Sequence, residues 1–142
     1  MKVREIMTPG VHCIRPDATV REAAELMLRL DIGVLPVSEN DAILGMLTDR
    51  DIVIRFVVSG DAGTSKGVRE VMTPGAVFVY DDDDLSTAVE TLTQNQIRRA
   101  PVVTRDRRLV GILSLGDIAV EGNAALAGEA LKQVSQPAAL VR

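Results

Sequence analysis

Two stretches of the chain carry apolar residues at the spacing that makes one face of an α-helix. In the first stretch, Thr19 is followed three residues later by Glu22, and this Thr-x-x-Glu pattern is the capping box of a helix start. In the second stretch, Asp84 takes the place of Thr19 and is the expected N-cap. The predicted apolar faces are Val20, Ala23, Ala24, Met27 and Leu28 in the first helix, and Leu85, Ala88, Val89 and Leu92 in the second.

Each of these helices is followed by two short apolar runs. The runs are rich in β-branched residues and are flanked by turn formers, which is typical of strands. Because the two runs of each pair lie close together in sequence, we expect each pair to form a hairpin. The predicted strands are 34–37 and 43–47 in the first half of the chain, and 100–103 and 109–113 in the second half.

Further helices are predicted after each hairpin. One begins near Asp49 and runs through Phe56, and its counterpart follows Ser114 and is shorter. Residues 59–67 contain many turn formers and are expected to connect the two halves of the chain. Residues 124–134 can form one more helix near the end of the sequence.

The two halves are copies of one sequence unit. Residues 3–10 read VREIMTPG and residues 68–75 read VREVMTPG, at an offset of 65 residues, and we call these segments the first and second openers. After the hairpin loop the offset is 66, because the second copy has one extra residue there. A surface loop is where two copies are expected to differ in length. The sequence therefore divides into a first repeat with its opener (1–62), a second repeat (63–122) and a C-terminal helical tail (123–142).

Composition argues against several classes of partner. Of the 142 residues, 46% are apolar and only 2% are aromatic, and the formal net charge is −4. Nucleic-acid binding relies on Lys and Arg against phosphates and on aromatic stacking, so we expect no nucleic-acid partner. No run approaches the roughly 18–20 apolar residues of a membrane span, and the charged start MKVREIM does not resemble a signal peptide. We therefore expect a cytoplasmic protein with no membrane partner.

Metal, thiol and catalytic chemistry find little support in the sequence. Cys13 and His12 are the only cysteine and histidine, which excludes an internal disulfide and a Cys/His zinc site within one chain. Cys13 is expected to be a half-buried strand thiol. The acidic run at 81–84 could suggest a metal, but consecutive side chains point in different directions, and a solvated helix start is expected there. Because no nucleophile is paired with a general base, we expect no enzyme activity, no metal and no cofactor.

One motif ends the hairpin of both repeats. Residues 45–51 read GMLTDRD and residues 111–117 read GILSLGD, so Thr48 and Asp51 in the first repeat correspond to Ser114 and Asp117 in the second. One interpretation is a capping box that ties down free N–H groups at a helix start. The other is that the carboxylate accepts hydrogen bonds from two adjacent ribose hydroxyls, while the helix start faces a phosphate.

Arginines near these motifs bear on the second interpretation. A phosphate would require Arg, and Arg50, Arg98 and Arg99 lie near the ends of the predicted strands. For Arg98 and Arg99, simple solvation and a functional role are both open.

The ordered set of motifs, present twice, resembles the CBS-domain family over about residues 1–122. The set consists of the Met-Thr-Pro of each opener, an apolar-Pro-Val strand, and the Gly-x-x-Ser/Thr-x-x-Asp end of the hairpin. The resemblance is to short, stand-alone bacterial members. It implies an α+β fold in which two β-α-β-β-α repeats pack by their sheets with pseudo-twofold symmetry. It also implies a non-catalytic regulatory module that binds adenosine-containing ligands, such as AMP, ADP or ATP, in clefts between the repeats.

In the resemblance, each cleft is a composite of both repeats. One cleft would use Thr48, Arg50 and Asp51 with Thr73, Val77, Ile97, Arg98 and Arg99. The other would use Ser114 and Asp117 with Thr8, Cys13, Ile32, Gly33 and Val34. Because Gly33-Val34 stand where the second repeat has Arg98-Arg99, we predict unequal clefts, with phosphorylated adenosines preferred by the one that contains Asp51.

Two other functions stay open. The chain could be a ligand-free assembly module, a homodimer scaffold whose Asp and Thr residues only cap helices. CBS pairs commonly form flat dimers through their helices, and the apolar residues of the predicted helix that starts near Asp49 would suit such a contact. An enzyme that uses a divalent metal at residues 81–84 is the less supported alternative.

Overall fold

The two repeats fold into the same succession of short helices and strands. In this computed structural model, which describes residues 1–59, 66–75 and 77–137, the chain opens with a short helix and a two-residue strand that both belong to the first opener. The elements in chain order are α1 (Val3–Ile6), β1 (Thr8–Pro9), α2 (Val20–Leu30), β2 (Val34–Glu39), β3 (Ala42–Thr48), α3 (Asp49–Asp51), α4 (Val68–Val71), β4 (Thr73–Pro74), β5 (Val79–Tyr80), α5 (Leu85–Gln94), β6 (Arg99–Val103), β7 (Leu109–Ser114), α6 (Leu115–Asp117) and α7 (Ala124–Val134). Helix α3 continues as a π-helix at Ile52–Val57, and α6 continues as one at Ile118–Gly122.

The openers pair with hairpins in an exchanged manner. Strand β1 of the first opener pairs antiparallel with β7 of the second repeat, and β4 of the second opener pairs antiparallel with β3 of the first repeat. The sheets therefore have the orders β2-β3-β4 and β1-β7-β6-β5, with β5 parallel to β6.

This exchange defines two compact units. The first-repeat unit comprises His12–Ala76, and the second-repeat unit comprises Met1–Val11 together with Val77–Arg142. The sequence predicted repeats at 1–62 and 63–122, each with its own opener. In the structure, each opener instead belongs to the compact unit of the other repeat. The predicted tail helix forms as α7, and its Ala127 and Ala130 join the core of the second-repeat unit.

A glycine explains how each opener strand reaches its hairpin. A Cβ on Gly45 would overlap the backbone carbonyl oxygen of Thr73, and a Cβ on Gly111 would lie 2.9 Å from that of Thr8. Only a residue without a side chain allows this approach of two backbones. The glycine that begins each hairpin-end motif therefore serves the docking of the opener.

The two amphipathic helices form as the sequence predicts, with corrections at individual residues. The apolar face of α5 is buried throughout, but on α2 only Val20, Ala23 and Met27 are buried, whereas Ala24 is exposed and Leu28 is 83% exposed. The buried stripe of α2 is therefore narrower than the predicted face.

The predicted caps of these helices differ from each other. Thr19 Oγ1 accepts a hydrogen bond from the Glu22 N–H at 3.0 Å, as expected. Asp84 occupies the N-cap position of α5 but makes no side-chain capping bond. Its carboxylate instead lies 3.0 Å from the ammonium of Lys2, which directly precedes the first opener. The carboxylate that the sequence predicted to cap the helix is therefore in an ion pair with a residue near the first opener.

Both predicted hairpins are confirmed. The turn between β2 and β3 consists of Asn40 and Asp41, both with positive φ, the geometry of a tight two-residue hairpin turn. The loop between β6 and β7 is longer, as the shift in sequence offset predicted.

Each unit has its own apolar core, built mainly from aliphatic side chains. The first contains Leu35, Leu47 and Val71, and the second contains Leu92, Leu113 and Ile118. Most of the predicted connector at 59–67 lies outside the described residues. Among the described helices, none has the length and apolar character needed to cross a membrane.

Candidate functional site

The hairpin-end motif of the first repeat forms a reciprocal capping box at the start of α3. Thr48 Oγ1 accepts a hydrogen bond from the Asp51 N–H at 3.0 Å, and Asp51 Oδ2 accepts one from the Thr48 N–H at 2.9 Å. The capping interpretation of Thr-x-x-Asp is therefore correct. It uses only Oδ2 of Asp51, so Oδ1 is left for another donor.

The second repeat reproduces this arrangement at the start of α6. Ser114 Oγ accepts from the Asp117 N–H at 3.0 Å, and Asp117 Oδ2 accepts from the Ser114 N–H at 3.0 Å. Both aspartates are half-buried, because each lies at a helix start that follows directly on a core strand. Local sequence thus fixes two carboxylates in one orientation relative to their helices.

In one unit the opener threonine bonds directly to the carboxylate, and in the other an arginine lies between the two groups. Thr8 Oγ1 donates to Asp117 Oδ1 at 3.3 Å, although the two residues are 109 positions apart in the sequence. Thr73 belongs to the first-repeat unit with Thr48 and Asp51. The family resemblance implied that each acid is combined with the opener threonine of the other repeat. In the structure, both members of each such pair belong to the same compact unit.

Arg55 is a residue of this site that the sequence analysis missed. Its Nη1 donates to the carbonyl oxygens of Val71 and Met72 at 3.1 and 2.9 Å and to Thr73 Oγ1 at 3.3 Å. The same nitrogen lies 3.9 Å from Asp51 Oδ1. The available signal was the i, i+4 spacing of Asp51 and Arg55 on a predicted helix, a spacing at which side chains meet.

The other predicted residues lie around the same two helix starts. In the first-repeat unit, the Asp49 N–H donates to the Gly33 carbonyl oxygen at 2.9 Å, and Val34 pairs with Thr48. In the second-repeat unit, the Leu115 N–H donates to the Arg98 carbonyl oxygen at 2.9 Å in the same way. The backbone of each predicted segment therefore supports the start of α3 or α6.

The two helix starts differ in their side chains. Gly33 leaves room for the Asp49 carboxylate, whose Oδ2 would lie 2.7 Å from a Cβ placed there. The equivalent positions in the second-repeat unit are the exposed Arg98 and the buried Leu115. Arg99 begins β6, pairs with Ser114 and is also exposed. The side chains beside the two carboxylates therefore differ, which agrees with the prediction that the two sites are unequal.

Five of the predicted residues have no side-chain contact with the carboxylates among the described hydrogen bonds and ion pairs. Arg50, Ile32 and Cys13 are exposed in the first-repeat unit, and Val77 is exposed in the second. Ile97, in the second-repeat unit, is half-buried and packs against the core. The expectation that Cys13 is a half-buried strand thiol is wrong, because the strand contact begins only at Ile14. The predicted combination of residues from both units stays a prediction.

The acidic run at 81–84 is engaged in ion pairs. Arg105 Nε donates to Asp82 Oδ1 at 2.9 Å, and the Arg105 guanidinium also stacks 3.9 Å from the centre of the Tyr80 ring. This hydrogen bond lowers the pKa of Asp82, and the contact with Lys2 lowers the pKa of Asp84. Within residues 1–59, 66–75 and 77–137, no three His, Cys, Asp or Glu side chains are grouped to hold a metal ion. The run therefore helps to anchor the first opener, because Lys2 directly precedes this segment and Arg4, within it, lies 3.8 Å from Asp81.

Comparison with known proteins identifies the family. The model of the CBS domain matches residues 3–58 and 68–122. The CBS domain-containing protein YhcV of Bacillus subtilis is 40% identical over 134 residues, which cover 94% of this chain and 94% of YhcV. The chain therefore belongs to the CBS-domain family and is a tandem CBS pair with an α+β fold. Pairs of this kind generally serve regulation rather than catalysis.

Several solved structures share this fold at more than 30% identity. A crystal structure of Hypoxic Response Protein I with two coordinated zinc ions superposes with a TM-score of 0.77 at 34% identity, covering 85% of this chain and 98% of that one. A crystal structure of CBSX2 in complex with AMP superposes with a TM-score of 0.71 at 31% identity, covering 90% and 98%. A protein of this fold and similarity thus binds AMP.

Proposed function

We propose that this chain is a sensor of adenosine-containing nucleotides, such as AMP, ADP or ATP, whose ribose is held by Asp51 in one site and by Asp117 in the other. The observation that carries the proposal is the reciprocal capping box, which occurs twice. It fixes each carboxylate through Oδ2 and leaves Oδ1 available: Thr8 contacts Oδ1 of Asp117, and Arg55 lies 3.9 Å from Oδ1 of Asp51. A carboxylate held in this way can accept hydrogen bonds from two vicinal hydroxyls without losing its place.

The energy available from such contacts is sufficient for selectivity. A hydrogen bond to a charged group contributes about 1.5–3 kcal/mol, so loss of the one made by the 2′-hydroxyl would separate a ribose from a deoxyribose by about tenfold or more in affinity. No catalytic step is needed. A ligand that binds one arrangement of the protein better than others shifts the population towards that arrangement, and a regulated partner could respond to it.

A panel of ligands tests the proposal. Only a ligand that binds the folded state raises its stability, so at least one of AMP, ADP, ATP, reduced nicotinamide dinucleotide and S-adenosylmethionine should raise the melting temperature of the purified protein. Asp51→Ala and Asp117→Ala should each remove part of the response, and by unequal amounts, because the arginines near the two motifs differ. The matched control is Asp106→Ala, which changes an exposed loop carboxylate. An unchanged melting temperature with every ligand would reject the nucleotide-sensor function.

A second function, assembly into a homodimer, has an observation of its own. The π-helix that continues α3 exposes apolar side chains to solvent: Val53 is 53% exposed, Ile54 50% and Val57 62%. Apolar residues grouped in this way are typical of protein–protein contacts. Sedimentation of the wild-type chain and of Val53→Lys/Val57→Lys tests this function, because the double variant should shift a dimer to monomer. The two functions are compatible. If no nucleotide changed the melting temperature and the chain were still a dimer, assembly would be the one function of the two that is supported.

A further inference from the structure

The two opener threonines take opposite hydrogen-bonding roles in the two units. Thr73 Oγ1 is contacted by Arg55 Nη1, and a guanidinium can only donate, so this hydroxyl accepts. Thr8 Oγ1 is contacted by Asp117 Oδ1, and an ionised carboxylate can only accept, so that hydroxyl donates. The directions follow from the chemistry of the partners and need no observed hydrogen atom.

A hydroxyl group has one proton, so its direction decides what it can offer to a ligand. Thr73 accepts from Arg55 and keeps its proton, and among the hydrogen bonds of the described residues its hydroxyl donates to none. Thr8 has committed its proton to Asp117 and keeps only lone pairs. A ligand at Asp51 would therefore meet a donor at Thr73, whereas a ligand at Asp117 would meet an acceptor at Thr8.

Arg55 is the cause of this difference. It sits on the π-helix after α3, where its Nη1 also caps the carbonyl oxygens of Val71 and Met72 at the end of α4. These contacts hold the guanidinium at the second opener, whether or not Asp51 is engaged. The corresponding residue of the second repeat is Glu121, which is exposed and cannot donate. Without a donor at this position, the hydroxyl of Thr8 turns to the nearest acceptor, Asp117.

We propose that Arg55 is a positioning residue that determines ligand specificity: it fixes the Thr73 hydroxyl as a donor, so that the Asp51 site selects a ligand atom that accepts a hydrogen bond. Glu121 leaves the Asp117 site with the opposite preference, for a ligand atom that donates. This inference rests on the proposed binding of adenosine-containing ligands at the two sites. According to this inference, the same nucleotide would meet a hydroxyl donor in the Asp51 site and a hydroxyl acceptor in the Asp117 site.

The test measures AMP binding by calorimetry on the full chain. Asp117→Ala, or Asp117→Asn if the alanine variant does not fold, is the background, so that only the Asp51 site is measured. In that background Thr73→Val should weaken AMP binding about tenfold, equal to ~1.4 kcal/mol, and Thr73→Ser should leave it nearly unchanged. If Arg55→Met is also present, Thr73→Val should cost no more than about twofold, because the hydroxyl can then turn to Asp51.

Two further variants separate this role from a merely structural one. Arg55→Lys should restore the tenfold effect of Thr73→Val, because an ammonium group also only donates. Arg69→Met is the matched control: it removes an exposed arginine from α4, and Thr73→Val should still cost tenfold in its presence. An equal cost of Thr73→Val with and without Arg55, or no cost in either case, would overturn the inference.

A measurement without ligand distinguishes failure of the inference from failure of the proposed function. In urea unfolding, the midpoint losses of Thr73→Val and Arg55→Met should be non-additive. Their coupling should exceed that of Thr73→Val with Asp51→Asn, because Asp51 is linked to Thr73 only through Arg55. Thr8→Val and Asp117→Asn should be non-additive. If these relations hold and no nucleotide binds, the sensor function is wrong and the hydroxyl directions stand. If Thr73 couples more strongly to Asp51 than to Arg55, the inference is wrong even when AMP binds.

Discussion

Replacing Gly45 by alanine should weaken the docking of the second opener. A Cβ at this position would overlap the Thr73 carbonyl oxygen and lie 3.2 Å from the Pro74 Cα, so the new methyl group meets backbone on both sides. Backbone cannot rotate away as a flexible side chain can. Strand β4 would have to move, although it is held by two residue pairs, by the bond from the Gly75 N–H to the Leu44 carbonyl oxygen and by the bond from Arg55 to Thr73 Oγ1.

The expected size of this effect follows from the cost of overpacking. Inserting a methyl group into a tightly packed site costs about 1–3 kcal/mol, and we expect Gly45→Ala to fall in the upper half of that range. Gly111→Ala should cost less. Its nearest contact would be the Met7 Sδ at 2.7 Å, which belongs to a flexible side chain, and the Thr8 carbonyl oxygen follows at 2.9 Å.

The assay is urea unfolding monitored by circular dichroism, with Gly128→Ala as the matched control. Gly128 lies on α7 with nothing within 4 Å of an added Cβ, so alanine there should stabilise the protein by about 0.5–1 kcal/mol through helix propensity. The three variants make the same chemical change in three different environments. If Gly45→Ala were as stable as the wild type, close approach of β3 and β4 would not be the reason for glycine at this position.

Three further predictions concern other parts of the chain. The pKa values of Asp82 and Asp84 are lowered in the folded state, so their contribution to stability is present above the unfolded value near 3.8 and is lost as the pH falls through the folded pKa values. The urea midpoint of Arg105→Met/Lys2→Met should therefore fall less than that of the wild type between about pH 7 and about pH 3, and an equal fall would contradict the ion-pair assignment. Gly33→Ala should cost under about 1 kcal/mol in the same unfolding assay, because the Asp49 carboxylate it meets is a side-chain end that can rotate, and a cost as large as that of Gly45→Ala would show that Asp49 is held in place. Asp41→Gly should stabilise the first hairpin by roughly 0.5–1 kcal/mol, since Asp41 has φ of +65°, and a loss of melting temperature would show that the Asp41 side chain has a role of its own.

Periodicity and capping chemistry predicted the elements well because these signals are local. The spacing of apolar residues located α2 and α5, and the β-branched runs located both hairpins to within a few residues. Ser/Thr-x-x-Asp encodes its own geometry, since donor and acceptor lie three residues apart on one helix turn. The sequence did not predict the exposure of Leu28. Periodicity shows the direction of an apolar helix face, but not how much of that face a neighbouring element covers.

Contacts distant in sequence were outside the reach of such reasoning. The capping function of Asp84 was replaced by an ion pair with Lys2, and the acidic run was engaged by Arg105 from a loop more than 20 residues later. Arg55 reads as a solvated helix residue in the sequence. Its four partners become visible only when the second opener lies against the π-helix.

The sequence by itself determined the repeat, the order of helices and strands, the two capping boxes and the membership of the CBS-domain family, because each of these depends on residue types at short, fixed spacings. Tertiary structure decided which hairpin each opener joins, and with it the direction of the Thr8 and Thr73 hydroxyl groups. Two nearly identical openers carry no local signal for this choice. The choice of hairpin is made by the pairing of strands that are far apart in the chain. The direction of each hydroxyl group depends on the difference between Arg55 and Glu121, and this difference has an effect only where the opener lies beside these residues.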